Sequence, residues 1–445
     1  MILPEYVKKS IEILKSRGHE AYAVGGCVRD MLIGKTPSDY DITTSALPEE
    51  IKECFVGFRV IETGIKHGTV SVIVDNNILE ITTYRIDGKY KDNRRPESVS
   101  FSKNLQEDLK RRDFTINAMA YNEKDGIKDF FGGKGDVSDK IIRCVGDAET
   151  RFEEDALRIL RALRFSAVFG FEIEDKTRKA ISLKKRLLKN ISAERVRDEF
   201  SKLIVAKDGA KVLDEFFYVF EIIIPELNKT RGLCQCNNYH IYDVFNHILK
   251  SVEMAEEELS VKLCMLFHDI GKPYCFSKDE DGNGHFYGHQ RISAAIAKDV
   301  LLRLRYPNKM IDTVCTLVNF HDGQMAADEK SVCRWLRRVG EENLRLLLKV
   351  KRADALAHEE NYAKMRVAEI SEIEKVLEEV IKKDLCYSLK QLAVSGEDVV
   401  LSGISGKEVG EVLEGLLTAV IDGRCENNKE ALMERVKRYS EKRRP

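Results

Sequence analysis

GGCVRDMLIGKTPSDYDI, residues 25–42, decides what kind of domain begins this chain. HEAYAVGG (19–26) reads as a short buried strand, VRDMLIG (28–34) as a helical turn with Gly34 past its end, and YDITTSA (40–46) as the next strand. Side chains alternate along a strand, so Asp39 and Asp41 are expected on one face, with Tyr40 and Ile42 on the other. Adjacent carboxylates repel unless a cation lies between them, and oxygen-only ligands facing solvent fit Mg²⁺ shared with substrate phosphates. Gly25 and Gly26 let backbone amides approach a triphosphate closely, and Arg29 adds a fork of donors. A second metal needs a third carboxylate, and Glu80 in ILEITTYR (78–85) is the candidate because its strand is expected beside the first. Such a site suits in-line nucleotidyl transfer, with one metal acidifying the attacking hydroxyl and the other holding the leaving pyrophosphate. Taken singly the motifs are weak, and Asp39 after Pro37 and Ser38 also suits plain turn chemistry.

Outward from that stretch, SIEILKSRG (10–18) reads as an amphipathic helix ending at Gly18, while GTVSVIVD (68–75) and ILEITTYRI (78–86) flank Asn76 and Asn77 like a hairpin. These elements form an α/β unit. From Ala148 onward the pattern is helix after helix, with spacing such as Leu157, Leu160, Leu163 and Phe165. Pro225 to His240 breaks the periodicity and reads as a linker, a second break falls after His358, and SGISGKEVG (402–410) is a glycine-rich turn.

At 445 residues, 43% hydrophobic and 33% charged, the chain has the composition of a soluble protein of several domains. The first residues are charged and amphipathic rather than leader-like, and no apolar run is long enough to span a bilayer, so a cytoplasmic protein without a membrane partner is expected. Its 11 cysteines are scattered, which suits reduced, buried thiols. Cys234 and Cys236 could chelate a metal, but no second pair lies at finger spacing. Net charge is −1, yet nine Lys or Arg between Lys176 and Arg197 face one acid, Glu194, which makes either a phosphate-attracting surface or a solvated face.

The glycine pair followed by SDYDI resembles the nucleotidyltransferase signature of the DNA polymerase beta superfamily. With RRDFTINA (111–118) and RFEEDALRILRALRF (151–165), it resembles class II tRNA nucleotidyltransferases, the CCA-adding enzymes, and their relatives the bacterial poly(A) polymerases. That resemblance implies catalytic roles for Asp39, Asp41 and Glu80, Mg²⁺ on Asp39 and Asp41, and CTP, ATP and tRNA as partners. Asp155 and Arg158, three apart on a helix, match the exocyclic amine and ring nitrogen shared by cytosine and adenine, whereas uracil and guanine present the reverse. Glu154 would orient Arg158 from i to i+4, or serve as an ordinary acid of the helix's first turn. By resemblance Arg161 and Arg164 contact the nucleotide, the alternative being a basic stripe pairing with Glu153, and Arg112 with Asp113 match the ribose-recognising motif. The polar stretch Asp87 to Phe101 resembles the family's flexible loop, or is a surface loop.

His247, His268-Asp269 and Asp354 follow the order of HD-superfamily phosphohydrolases, with His289 and His321 falling between as in members that bind two metals. A second divalent site is therefore expected, whether the module is active or vestigial. His19, His67, His240, His285 and His358 carry no assignment. The resemblance implies an α+β chain: a polymerase-beta-like head with a mixed sheet over 1–147, a helical neck for base selection and RNA binding over 148–228, an HD domain over 229–360, and a helical tRNA-binding tail over 361–445. The expected activity is template-independent addition of CCA to tRNA. The alternatives are a poly(A) polymerase or A-adding enzyme, and an HD-type phosphohydrolase of nucleotides or RNA ends. Oligomeric state is not readable.

Overall fold

The strand before the glycine pair is the middle of a sheet. In the computed structural model, which describes residues 1–62, 64–65, 68–88, 90–91, 95–96, 98–236 and 242–441, Ala21–Val24 (β1) is buried at every position. It pairs antiparallel with Asp41–Thr44 (β2) on one side and Met119–Asn122 on the other. Arg59–Ile61 (β3), Thr69–Val74 (β4) and Asn77–Thr83 (β5) extend the sheet beyond β2, and Gly126–Asp129 closes the far edge. Only β2 and β5 run parallel within this sheet, which makes it mixed.

Both faces are covered. Helix Glu5–Ser16 presents Val7, Ile11 and Leu14, one helical stripe, to Val70, Val72, Val74, Leu79 and Ile81 of the hairpin. Each of these apolar side chains, fully buried, stabilises by about 1.5–3 kcal/mol relative to exposure. The opposite face packs Tyr22 and Val24 against Tyr84, Leu105, Leu109 and Ala120.

Asp75 and Asn76 both hold left-handed φ, 49° and 64°, so the β4–β5 turn sits one residue earlier than its asparagine pair suggests. Asn77 already belongs to β5, opposite Val74. This register buries Leu79, Ile81 and Thr83 and turns Glu80 the other way.

After the sheet come helices Ala148–Glu154, Leu157–Phe169, Asp175–Lys184, Ala193–Val205, Gly209–Glu215 and Phe217–Ile223. Helix Leu157–Phe169 buries nearly its whole first half, more than a stripe, because Leu157, Arg158, Ile159 and Leu160 all lie inside. Met1–Pro225 forms one compact unit and Glu226–Pro445 another, so the chain divides where Pro225 ends the periodic pattern. The second unit is built on helices that include Val244–Met254, Leu259–Phe267, His289–Arg303, Asn308–Phe320 and Glu341–Leu356.

The region past Ala148 is not wholly helical. Glu172–Ile173 pairs in parallel with Ile141–Ile142, and Ser277–Lys278 pairs with Gly284–His285 around Gly282, whose φ is +85°. Two-residue strands are too short to show period-2 patterning. Among the described residues no helix is long and apolar enough to cross a membrane. His67, His240 and part of the 87–101 stretch lie outside the described residues.

Candidate functional site

Gly25 ends β1 at φ 80°, ψ −125°, a conformation L side chains rarely adopt, and donates its N–H to Met119 O at 3.1 Å. A Cβ there would meet Arg112 Nη1 at 2.8 Å, so the guanidinium lies directly over this backbone corner. Gly26 starts helix Gly26–Leu32. Arg29 does not offer its fork to an open site. It is buried, bonded to Asp30 Oδ1 at 2.8 and 2.9 Å and to Asn117 Oδ1 at 2.6 Å, and packs 4.5 Å from the Phe169 ring centre. Arg112 faces the corner while its Nη2 lies 3.7 Å from Asp108 Oδ2. Its buried Nε has no hydrogen-bond partner among the described residues.

β2 begins at Asp41, so Asp39 sits in the lead-in rather than on the strand, and strand alternation does not relate the two aspartates. Ser38, a helper to neither strand, donates to Asp39 Oδ1 at 3.1 Å. What register does provide is Asp41 opposite Glu80 on adjacent parallel strands, both exposed. Surrounding protein raises the Asp41 carboxyl to about 6, Arg112 opposes that, and the charges of Glu80 and Asp39 add to it. Asp39, Asp41 and Glu80 do not form a group of ligand atoms within 4.8 Å of one another. An oxygen-rich, electronegative corner with one unusually basic carboxylate suits a divalent cation completed by substrate oxygens.

Asp155 and Arg158 are arranged differently from a single helical face. Asp155 falls in the break between helices Ala148–Glu154 and Leu157–Phe169, where its Oδ1 accepts Leu157 N–H at 3.1 Å. Arg195 grips it from helix Ala193–Val205 at 2.8 Å. Arg158 is buried, with Nη1 2.6 Å from Glu154 Oε2 and Nη2 donating to Arg111 O at 3.1 Å. The Glu154–Arg158 contact therefore exists across the helix break, and Glu154 lies in the last turn of its helix, not the first.

Asp113 is buried with both oxygens engaged, one by Phe114 N–H and Asn117, the other by Arg161 at 2.7 Å. Burial would raise this carboxyl, but Arg161, Asn117 and Arg158 outweigh it and hold it at about 2. Arg164 bonds Glu199 at 2.5 Å. Glu153 pairs with Lys184 at 2.6 Å. Among the nine cations from Lys176 to Arg197, Lys184, Lys185, Arg178, Arg195 and Arg197 have acid partners.

In the second unit the six HD-type residues converge into two groups, His247 with His268 and Asp354, and Asp269 with His289 and His321. Within each, the ligand atoms lie within 4.8 Å of one another. Asp269 spans both: Oδ2 is 3.2 Å from His268 Nε2, and Oδ1 is 3.3 Å from His289 Nε2. The Nδ1 atoms of His268, His289 and His321 contact the carbonyls of Met265, Phe286 and Val318 at 2.7–2.9 Å. Donation there fixes the tautomer that turns an Nε2 lone pair inward. Burial, with His268 nearby, lowers His321 to about 3, which keeps that imidazole neutral. His268 Nε2 and Asp269 Oδ2 are buried and face each other at 3.2 Å, and Lys272 Nζ lies 2.6 Å from the same carboxylate oxygen. This donor set fits divalent metal ions at two positions. Lys272, Lys351, His358 and Arg366 line the adjoining cavity of about 420 Å³.

Several of these residues escape a motif reading. Lys272, 2.6 Å from Asp269 Oδ2, and His358, whose Nδ1 is 2.8 Å from Asp354 O, stand three and four places after a ligand, a spacing that could have found them. Asn117, Arg195 and Glu199 act across tertiary contacts and carry no sequence signal.

A "Poly A polymerase head domain" model matches residues 21–143, a "Probable RNA and SrmB- binding site of polymerase A" matches 170–230, and a "tRNA nucleotidyltransferase domain 2" matches 285–436. A CCA-adding enzyme of Lactobacillus delbrueckii subsp. bulgaricus is 52% identical over 206 residues, 46% of this chain and 52% of that relative. One from Leuconostoc mesenteroides subsp. mesenteroides is 50% identical over 258 residues, 55% of this chain and 62% of the relative. The chain thus spans about half the length of the relatives it matches. Over 99% of both chains, the fold is similar to a Bacillus stearothermophilus CCA-adding enzyme in complex with CTP, at 29% identity and TM-score 0.73. A Thermotoga maritima CCA-adding enzyme complexed with tRNA shares the fold at 22% identity and TM-score 0.58, covering 98% of this chain and 94% of that one.

Proposed function

From membership of the tRNA nucleotidyltransferase and poly(A) polymerase family, to which this chain belongs, we propose template-independent addition of CCA to the 3′ end of tRNA from CTP and ATP. The observation that carries this reading is the pairing of Asp41 with Glu80 beside the Gly25 corner, with Arg112 over it. Asp39 and Asp41 would hold Mg²⁺, with Glu80 assisting, and a metal held there would supply polarisation of the triphosphate and acidification of the tRNA 3′ hydroxyl. Gly25 and Gly26 admit the triphosphate against backbone, and Arg112, ion-paired with Asp108 through Nη2 at 3.7 Å, brings positive charge over that corner through Nη1.

Asp155 and Arg158 select the base, each held in place by a second residue, Arg195 and Glu154. Asp113 supports the ribose end through Arg161 and Asn117. Functionally we divide the chain into head 1–147, neck 148–228, HD domain 229–360 and tail 361–445, and place it in the cytoplasm. The test is a gel at single-nucleotide resolution with tRNA ending before CCA. Growth by two with CTP alone, and by three then arrest with both nucleotides, is the expected result. A long ladder with ATP alone would identify a poly(A) polymerase instead.

A second reading is favoured by the two histidine–carboxylate groups that share Asp269. It is an accessory phosphohydrolase whose substrates are phosphomonoesters or cyclic phosphates at RNA ends. Phosphate release by the wild type that is lost in His268→Ala with Asp269→Ala, while nucleotide transfer persists, is the outcome this reading requires.

A further inference from the structure

Cys234 and Cys236, which the sequence offers as a possible chelating pair, have surroundings that set them apart from the other thiols. Cys234 is the exposed cysteine of the chain, while the other ten are buried or half-buried. Its sulfur accepts the Cys236 backbone N–H at 3.2 Å and the Cys236 thiol at 3.2 Å. Both bonds favour the thiolate of Cys234, which lies below the ordinary thiol range for that reason. A nucleophilic sulfur is thus in contact with a second sulfur able to resolve it.

Gln235, the residue between them, is 2% exposed and reaches inward. Its Oε1 accepts from Lys272 Nζ at 2.6 Å, and the same Nζ lies 2.6 Å from Asp269 Oδ2, the carboxylate shared by both histidine groups. On the other side, Cys236 O accepts Gly284 N–H at 2.9 Å. A Cβ on Gly284 would come within 2.2 Å of Gln235 O, so these backbones touch directly, five residues before His289. Cys236 itself has φ 51°, a left-handed conformation for a non-glycine. A disulfide needs sulfurs about 2.05 Å apart, so closure draws the pair together by roughly 1 Å across a segment pinned at both neighbours.

We propose that Cys234 and Cys236 are a peroxide-oxidisable dithiol, and that its closure loosens the histidine-lined metal centre through Gln235, Lys272 and the Gly284–His289 segment. The coupling rests on reading that cluster as a metal centre. The Cys234 thiolate attacks a peroxide oxygen, the O–O bond breaks, and the sulfenic acid forms with release of one water. The Cys236 sulfur then attacks the sulfenic sulfur, the S–O bond breaks, and a second water leaves. Two thiols and one peroxide become one disulfide and two waters, with the two thiol protons carried off in the waters and two electrons passing to the peroxide.

The test uses the full chain, reduced with a phosphine or treated with hydrogen peroxide and quenched, and read by peptide mass mapping and by Co²⁺ titration in visible absorption. A Cys234–Cys236 crosslink is expected, with the Co²⁺ dissociation constant rising on the order of tenfold, the scale of lost second-sphere support. Cys236→Ser should arrest at a Cys234 sulfenic acid that dimedone traps. Cys234→Ser should bind Co²⁺ like the reduced wild type with or without peroxide. Gln235→Ala should weaken Co²⁺ binding in reduced protein. Oxidation of Cys234 no faster than of Cys425, or a crosslink that leaves Co²⁺ affinity within twofold, overturns the proposal. If reduced wild type and His268→Ala with Asp269→Ala titrate alike, the metal-centre reading itself falls and takes the coupling with it, while mass mapping still judges the dithiol.

Discussion

Replacing Glu154 by glutamine tests the base-selection geometry with almost no change of shape. Glu154 Oε2 lies 2.6 Å from Arg158 Nη1 and 2.9 Å from Arg151 Nη1, and the Arg158 side chain is only 9% accessible. Glutamine keeps an acceptor oxygen but removes the charge, turning a charge-assisted bond into a neutral one. That difference is about 1 kcal/mol, and 1.4 kcal/mol corresponds to tenfold. Arg158 keeps its bonds to the carbonyls of Arg111 and Arg151, so it is loosened rather than released. The expected result is a drop of about five- to tenfold in the ratio of kcat/KM for CTP over UTP, with catalysis otherwise retained. The assay is single-nucleotide incorporation on tRNA lacking CCA, with each nucleotide varied separately and a thermal melt alongside. A specificity ratio within twofold of wild type, together with a lowered melting temperature, would refute the reasoning and leave Glu154 a purely structural partner.

Asp41→Asn should abolish nucleotide transfer yet raise the melting temperature in EDTA at pH 7.5. The folded carboxyl sits at about 6 against 3.8, so the folded state binds more protons between those values. Stability therefore falls as pH rises through that window, and the gain from asparagine should vanish below about pH 4. Solvent reaches Asp41, so the melting shift will be smaller than the pKa difference alone implies. Gly25→Ala should lose about 1–3 kcal/mol, measurable in urea, because φ 80° is strained for alanine and the methyl meets Arg112. His268→Ala with Asp269→Ala should eliminate Co²⁺ absorption in the second unit and leave CTP incorporation unchanged. Retained Co²⁺ binding would show that the histidines are not ligands.

The sheet was legible wherever patterning was local. β4 alternates half-buried and buried residues, and β5 lies beside β2 as its sequence led one to expect, which puts Glu80 opposite Asp41. The turn was misplaced by one residue because Asp and Asn both tolerate left-handed φ and composition does not distinguish them. Reading Asp155 and Arg158 as one helical face failed for a related reason. The segment RFEEDALRIL has helical periodicity throughout, yet Asp155 leaves the helix at φ −140° and uses its carboxylate on Leu157 N–H, the competition with backbone that makes aspartate poor inside helices. Arg29 was assigned to phosphate because arginine forks suit phosphate, but nothing in the local sequence reveals Asn117, which occupies it from 88 residues away.

The two metal-type sites differ in how much of the work the fold has already done. In the second unit, carbonyls at the ends of helices Leu259–Phe267 and Asn308–Phe320 orient His268 and His321, and one carboxylate serves both groups. Ligands fixed in this way lose little freedom on binding, so the fold itself confers affinity. At the Gly25 corner the carboxylates stand on exposed backbone, do not converge within 4.8 Å, and repel enough to help lift Asp41. Such a corner is incomplete by construction, since the missing oxygens must come from a ligand that carries its own charge. A triphosphate would supply them and meet Arg112, whose Nη1 lies over the Gly25 corner. The preorganised histidines suit a resident metal, whereas the loose carboxylates suit one that arrives and leaves with each nucleotide, as the proposed repeated addition would require.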